Sequence, residues 1–142
     1  MGDEGPAKQA VLDNISSHSW AKDIRWVGHQ SDPLPFYQAM DLQAMPSASE
    51  GLSNALLEGM ACGVPAVAHP ACGASEVIED EMNGWLRSVE TPEALSDCLA
   101  GIIRDGTALQ NASDGARATA ESRFSLESMV DGYAALYERL SR

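Results

Sequence analysis

Basic side chains are scarce: the 142 residues hold 9 Lys and Arg against 21 Asp and Glu, for a formal net charge of -12. Such a chain repels polyanions, which excludes nucleic acid and anionic membrane surfaces as natural partners. Cysteine is scarce as well. Cys62, Cys72 and Cys98 are too few and too far apart for a disulfide framework, and no C-x-x-C pair suggests a zinc or redox motif. No apolar run approaches the roughly 18 residues of a membrane span, so no integral membrane segment is expected. The opening MGDEGPAK lacks the basic and apolar regions of a secretion leader, which leads us to expect a reduced, cytoplasmic setting. His18, His29 and His69 are scattered with no carboxylate at metal-ligand spacing. No metal site is expected, and the three histidines read as satisfied or exposed side chains.

What is present is ordinary for a globular chain: 44% hydrophobic and 21% charged residues. The length suits one domain, 1–142, with a substantial core, and no linker or repeat interrupts it. Apolar periodicity predicts a first helix over Pro6 to Ser17, then buried strands at Ile24–Val27, Leu42–Met45, Ala66–Ala68 and Gly84–Arg87. Between these lie a short helix over Leu34–Met40, a firmer one over Leu52–Cys62 ended by Gly63 and Pro65, and a brief helical turn over Glu76–Asp80. From Thr91 onward the pattern is helical only. Thr91 caps a helix with Pro92 at its first position and Leu95, Cys98, Leu99, Ile102 and Ile103 on one face. An Ala-rich helix follows over about Thr107 to Arg123. Ser125 then caps a last helix bearing an apolar stripe of Leu126, Met129, Val130, Tyr133, Tyr137 and Leu140, with Phe124 and Met129 at hydrophobic-staple positions. Strands alternating with helices predict an α/β fold: a partial Rossmann-like parallel sheet with a helical C-terminal tail.

The informative segment is Pro46-Ser-Ala-Ser-Glu-Gly-Leu-Ser-Asn-Ala-Leu-Leu-Glu-Gly-Met-Ala-Cys-Gly-Val-Pro65. It leaves a strand, crosses a loop of small residues and enters a helix near Ser53. Ligands of open α/β sheets bind in such strand-end loops. The first N–H groups of the helix have no internal partners and carry the positive end of its dipole, so they can receive phosphate or sugar oxygens. Glu50 precedes the helix, and Glu58 lies roughly 7–8 Å along it at about 1.5 Å per residue. Carboxylates accept hydrogen bonds from vicinal hydroxyls. A ligand with a sugar at one end, phosphate in the middle and ribose at the other satisfies both acids and the helix terminus. Ser47 and Asn54 could line the same pocket or serve as caps and turn formers.

EGLSNALLEGMACGVPAVA resembles the E-x7-E signature of the family 4 retaining GT-B glycosyltransferases. Three further segments are similar to the same family: Asp23–Gly28 followed by Phe36-Tyr-Gln-Ala-Met-Asp41; Gly73-Ala-Ser-Glu76-Val-Ile with Asn83-Gly84-Trp-Leu; and Phe124-Ser125 leading to Tyr133-Ala-Ala-Leu-Tyr137. The resemblance covers nearly the whole chain and points to the C-terminal, donor-binding domain. It implies a nucleotide-diphosphate sugar as donor, with Glu50 on the hexose as the catalytic-site acid and Glu58 on the ribose. Backbone amides of Gly51, Leu52 and Ser53 would touch sugar and diphosphate, and Gly73 would form the second wall. No metal or cofactor is implied, because protein dipoles and cations handle the phosphates and the departing phosphate oxygen takes the acceptor's proton. One departure is that Ala71-Cys72 stands where the family usually has a second glycine. Cys72 reads as a small packing residue.

Gly2-Asp-Glu-Gly-Pro6 is similar to the turn after the second strand of that domain, so the resemblance implies a domain without its first two strands. The family's Arg and Lys that neutralise the diphosphate belong to that opening part, and none of the 9 Lys and Arg here falls in residues 46–73. We therefore expect weak donor binding and little transfer by the chain alone. The alternatives are half of a split glycosyltransferase, whose partner supplies the N-terminal acceptor domain, or a non-catalytic nucleotide-sugar module. A glycoside hydrolase ranks last, since its two carboxylates should flank one bond. An open sheet edge and an uncovered tail stripe would also suit a homo-oligomer.

Overall fold

Ala66-Val67-Ala68 is short, apolar and uncharged, and it becomes the centre of the sheet with all three residues buried. The computed structural model describes residues 7–47, 51–70 and 72–141. These divide between Pro33 and Leu34 into two compact units.

In the second unit three parallel strands run in the order β1 (Gln43–Met45), β2 (Ala66–Ala68), β3 (Gly84–Leu86). Ala66 stands beside Gln43 on one side and Gly84 on the other, and Ala68 beside Met45 and Leu86. Each crossover carries a helix: α3 (Asn54–Ala61) between β1 and β2, and α4 (Cys72–Val77) between β2 and β3. A short α2 (Leu34–Tyr37) precedes β1, and α5 (Pro92–Arg104), α6 (Gly106–Arg123) and α7 (Leu126–Leu140) follow β3. The α/β fold with its helical tail is therefore present.

Alternation along β2 sends its side chains into two clusters. Ala66 and Ala68 pack with Leu56, Met60, Val77, Ile78, Ala116 and Ala120, while Val67 packs with Trp85, Val89, Ile102 and Ala112. A sheet buried on both faces needs strands with no polar alternation, which is what the sequence of β2 supplies. Ala112, Ala116 and Ala120 recur every fourth residue on α6 and are buried, so small side chains let this helix lie close. Gly115 on the same helix is required by that approach, because a Cβ there would come within 2.1 Å of the Met82 carbonyl oxygen.

The caps read from sequence are formed. Thr91 Oγ1 accepts from the Ala94 N–H at 3.2 Å and Ser125 Oγ from the Ser128 N–H at 3.1 Å. The helix expected from Thr107 begins at Gly106, capped by Asp105 Oδ1 on the Ala108 N–H at 3.0 Å. Two expectations are corrected. The helical turn placed at Glu76–Asp80 lies earlier, at Cys72–Val77, because the Asn83 carboxamide oxygen takes the Glu79 N–H at 2.8 Å and Glu81 turns the chain at φ 65°. Ile24–Val27 is not a strand. It is irregular chain with Ile24, Trp26 and Val27 exposed, in a unit that otherwise contains α1 (Ala7–Ser16) and one 3-10 turn (Ala21–Asp23). Strand propensity is realised only where a neighbouring ladder takes up the backbone groups, and the described part of this unit holds none.

On α7 no residue is buried, and the stripe from Leu126 to Leu140 is exposed. Phe124, by contrast, packs against the first core cluster.

Candidate functional site

Parallel strands β1 and β2 end together, since the His69 N–H donates to the Met45 carbonyl at 3.2 Å. Beyond those ends a cleft of about 20 Å³ is lined by Ser47, Gly51, Ser53, His69 and Ala74, with Met45, Leu56 and Ala68 beneath. The helix behind it, α3, opens at Ser53, whose φ of -83° and ψ of 119° are those of a cap although its side chain makes no capping bond. No acid occupies the first turn of α3. The positive end of the α3 dipole is therefore not offset by a carboxylate within its own first turn.

Of the residues singled out in sequence, the structure brings Gly51, Leu52, Ser53 and Gly73 together. Gly73 opens out of α4 directly onto the preceding loop: a Cβ at this position would lie 2.3 Å from the Gly51 carbonyl oxygen and 2.6 Å from the Leu52 nitrogen. Ser47 joins them and Asn54 begins the helix as its first residue. Glu50 lies outside the described residues, as does the side chain of Cys72. Glu58 is exposed on α3 and does not line the cleft. It interacts with the Tyr37 hydroxyl of α2; burial, and then this carboxylate, push the Tyr37 hydroxyl above its ordinary pKa.

Three residues packed around these elements were not singled out as site residues in sequence. Tyr37 is one. Gln43 is the second: its Nε2 donates to the Ala55 carbonyl at 3.3 Å, and its Oε1 fills the space above Gly59, where a Cβ would approach to 2.6 Å. The third is His69, with Nε2 3.3 Å from Glu90 Oε1. Its placement immediately after an apolar strand was the signal that could have marked it.

A larger cavity of about 530 Å³ lies along β3, α5 and α6, lined by Glu81, Arg87, Asp97, Cys98 and Asp105. It does not suit a diphosphate. Its one guanidinium, Arg87, is held by Asp80 and Glu81, which with burial partly offsetting them raise its pKa. The remaining charges there are carboxylates. Burial pushes the Cys98 thiol up, so it stays protonated and unreactive. Among the described residues no three His, Cys, Asp or Glu side chains form a metal cluster, and no helix is long and apolar enough to cross a membrane.

A parallel sheet with a glycine-lined cleft and a helix N-terminus at the carboxyl ends of its strands defines an α/β domain of the kind that binds ligands at its strand ends. Residues 1–105 match the family described as Glycosyl transferases group 1, and the chain belongs to that family. It is 30% identical over 134 residues to the lipopolysaccharide core biosynthesis mannosyltransferase LpsB of Rhizobium meliloti, a match over 93% of this chain and 38% of that protein. It is 29% identical over 113 residues to LpsE, a lipopolysaccharide core biosynthesis glycosyltransferase of the same organism, over 80% of this chain and 33% of that one. Among solved structures, Anabaena HepE in complex with UDP superposes with a TM-score of 0.85 at 25% identity, over 93% of this chain and 36% of HepE. The same protein has been solved with UDP-glucose, at a TM-score of 0.82. The fold is thus that of GT-B glycosyltransferases, and the chain spans about a third of the length of these relatives.

Proposed function

We propose that this chain is the donor-binding part of a retaining family 4 GT-B glycosyltransferase, binding a nucleotide-diphosphate hexose for transfer to a hydroxyl acceptor. The observation that carries the reading is the meeting of Gly73 with Gly51 and Leu52 in front of an α3 terminus without an acid in its first turn. HepE, bound to UDP and to UDP-glucose, makes uridine nucleotides the first donors to test. In this reading the Gly51–Ser53 amides face diphosphate and sugar, Glu50 accepts from the hexose hydroxyls and Glu58 from the ribose. The leaving phosphate oxygen takes the acceptor's proton, so neither acid serves as a base, and no metal is needed.

The acceptor site and the cations for the leaving diphosphate come from a further polypeptide segment, joined to this one or separate. Exposed Trp26 and Val27 in the first unit and the uncovered stripe of α7 are surfaces for such a segment or for a second copy of the chain. The setting is the cytoplasm, where nucleotide sugars are made. Because residues 46–73 hold no Lys or Arg, the 142-residue chain alone binds donor without appreciable turnover.

Calorimetric titration with UDP, UDP-glucose, GDP and GDP-mannose tests the reading. Saturable binding by at least one pair, weakened by Glu58→Gln, is expected. Absence of binding to all four, or rapid transfer by the chain alone, would overturn the respective claims of a donor site and of its dependence on a further segment.

A further inference from the structure

No residue of α7 is buried, and every one from Met129 to Leu140 is exposed. A helix of 15 residues standing alone is marginal in water, because helices draw most of their stability from a packed face. Val130, Gly132, Tyr133 and Tyr137 make this one weaker still. Its apolar residues are nevertheless in strict order. Leu126, Val130, Tyr133, Tyr137 and Leu140 follow steps of four, three, four and three, the heptad seam with which one helix receives another.

The same pattern selects the partner. Reversed end to end about Tyr133, the stripe falls on itself: Leu126 on Leu140, Met129 on Tyr137, Val130 on Leu136. A contact between two copies around a two-fold axis requires a surface that is self-complementary in this way. Asp131 and Glu138 lie away from the seam at helical spacing. The area also suits two copies. Exposed from 37% at Leu136 to 73% at Leu126, these residues leave on the order of 900 Å² uncovered, against roughly 800 Å² that each partner contributes to a stable interface.

We propose that α7 is a homodimerisation element: two copies of the chain pair their α7 helices antiparallel about a two-fold axis at Tyr133, and α7 is fully helical only in the pair. This does not depend on the donor-site reading. With a net charge of -12 on each copy, long-range repulsion opposes the contact, so added salt strengthens it.

Sedimentation of the 142-residue chain between about 1 and 200 µM tests the proposal, with circular dichroism at the same concentrations. Reversible monomer and dimer with no larger species are expected, shifting to dimer with salt and losing helical signal on dilution. Tyr133→Glu sets two carboxylates against each other at the axis and should raise the dissociation constant at least about tenfold, whereas Asp131→Asn should change it by no more than about twofold. Chains carrying Leu126→Cys and chains carrying Leu140→Cys should crosslink on air oxidation when mixed, and neither alone should do so beyond the parent chain. A chain that stays monomeric at every concentration overturns the proposal and leaves the stripe to a further segment. Association indifferent to Tyr133→Glu, growth beyond dimers, or crosslinking by Leu126→Cys alone also overturns it. The crosslinking arm does not use Tyr133→Glu, so misfolding of that variant does not decide the matter.

Discussion

The backbone of Gly73 rests on that of Gly51, closely enough that a single added methyl group would sit 2.3 Å from the Gly51 carbonyl oxygen. The two strand-end loops are therefore matched to each other through glycine, and a side chain must push them apart. Gly73→Ala is expected to cost about 1–3 kcal/mol in urea denaturation, the usual penalty of overpacking, and to weaken nucleotide binding by displacing the Gly51–Ser53 amides. Gly101 on α5 is the internal contrast, since a Cβ there meets nothing within 4 Å. Gly101→Ala should raise stability by about 0.5–1 kcal/mol through helix propensity alone. Equal behaviour of the two variants would show that the Gly73 contact is not a constraint.

Asn83 is 2% exposed and uses both ends of its carboxamide. Oδ1 accepts from the Glu79 N–H at 2.8 Å, and Nδ2 donates to the Val77 carbonyl at 3.1 Å and to Thr119 Oγ1 at 2.9 Å. One side chain thus closes the turn after α4 and fastens it to α6. Asn83→Ala is expected to destabilise by about 2–3 kcal/mol, because it strands buried backbone groups as well as losing bonds. Thr119→Val should cost less, since only one of the three bonds goes. A chemical denaturation series that ranks them the other way would refute this ordering.

The difference between what could be read in sequence and what could not is physical. β2 and α3 were legible because Ala66–Ala68 is apolar without alternation and Gly63 and Pro65 end the helix before it. The caps at Thr91 and Ser125 were legible because they are local hydrogen bonds between near neighbours. Ile24–Val27 misled because strand formation depends on a partner ladder that no local pattern reveals. The end of α4 was misplaced because Asn83, well beyond the helix, takes the Glu79 N–H and closes the turn that follows it. The glycines at 51 and 73 were visible as candidates, whereas the Tyr37–Glu58 and His69–Glu90 pairs join residues 21 apart and exist only through the fold.

Asp80 gives stability a dependence on acid. Burial would raise its pKa, but hydrogen bonds from the Arg87 guanidinium and from the Leu86 N–H at 3.0 Å outweigh it and hold the carboxyl below its ordinary value. A carboxyl depressed in the folded state contributes fully above its unfolded value, near pH 4, and the contribution is lost as pH falls through the folded value. Asp80 also covers the free N–H edge of β3. Asp80→Asn should therefore be less stable than wild type by about 0.5–1 kcal/mol at pH 7, a modest figure because both partners are partly exposed. The gap should close below pH 4. A gap that persists unchanged at low pH, measured by thermal unfolding in matched salt, would assign the loss to packing and not to charge.

The Tyr37 hydroxyl of α2 interacts with the Glu58 carboxylate of α3, and their pairing separates orientation from recognition. If Glu58 grips the ribose, Glu58→Gln should weaken UDP about tenfold, in line with a hydrogen bond to a charged acceptor. Tyr37→Phe removes only the bond that aims the carboxylate, because its ring stays buried against α3. It should weaken UDP by about two- to threefold and change stability by no more than about 1 kcal/mol. The double variant should bind no more weakly than Glu58→Gln alone, since a misaimed group that has already been neutralised has nothing left to lose. Full additivity in calorimetric titrations would mean that Tyr37 acts on the nucleotide by a route independent of Glu58.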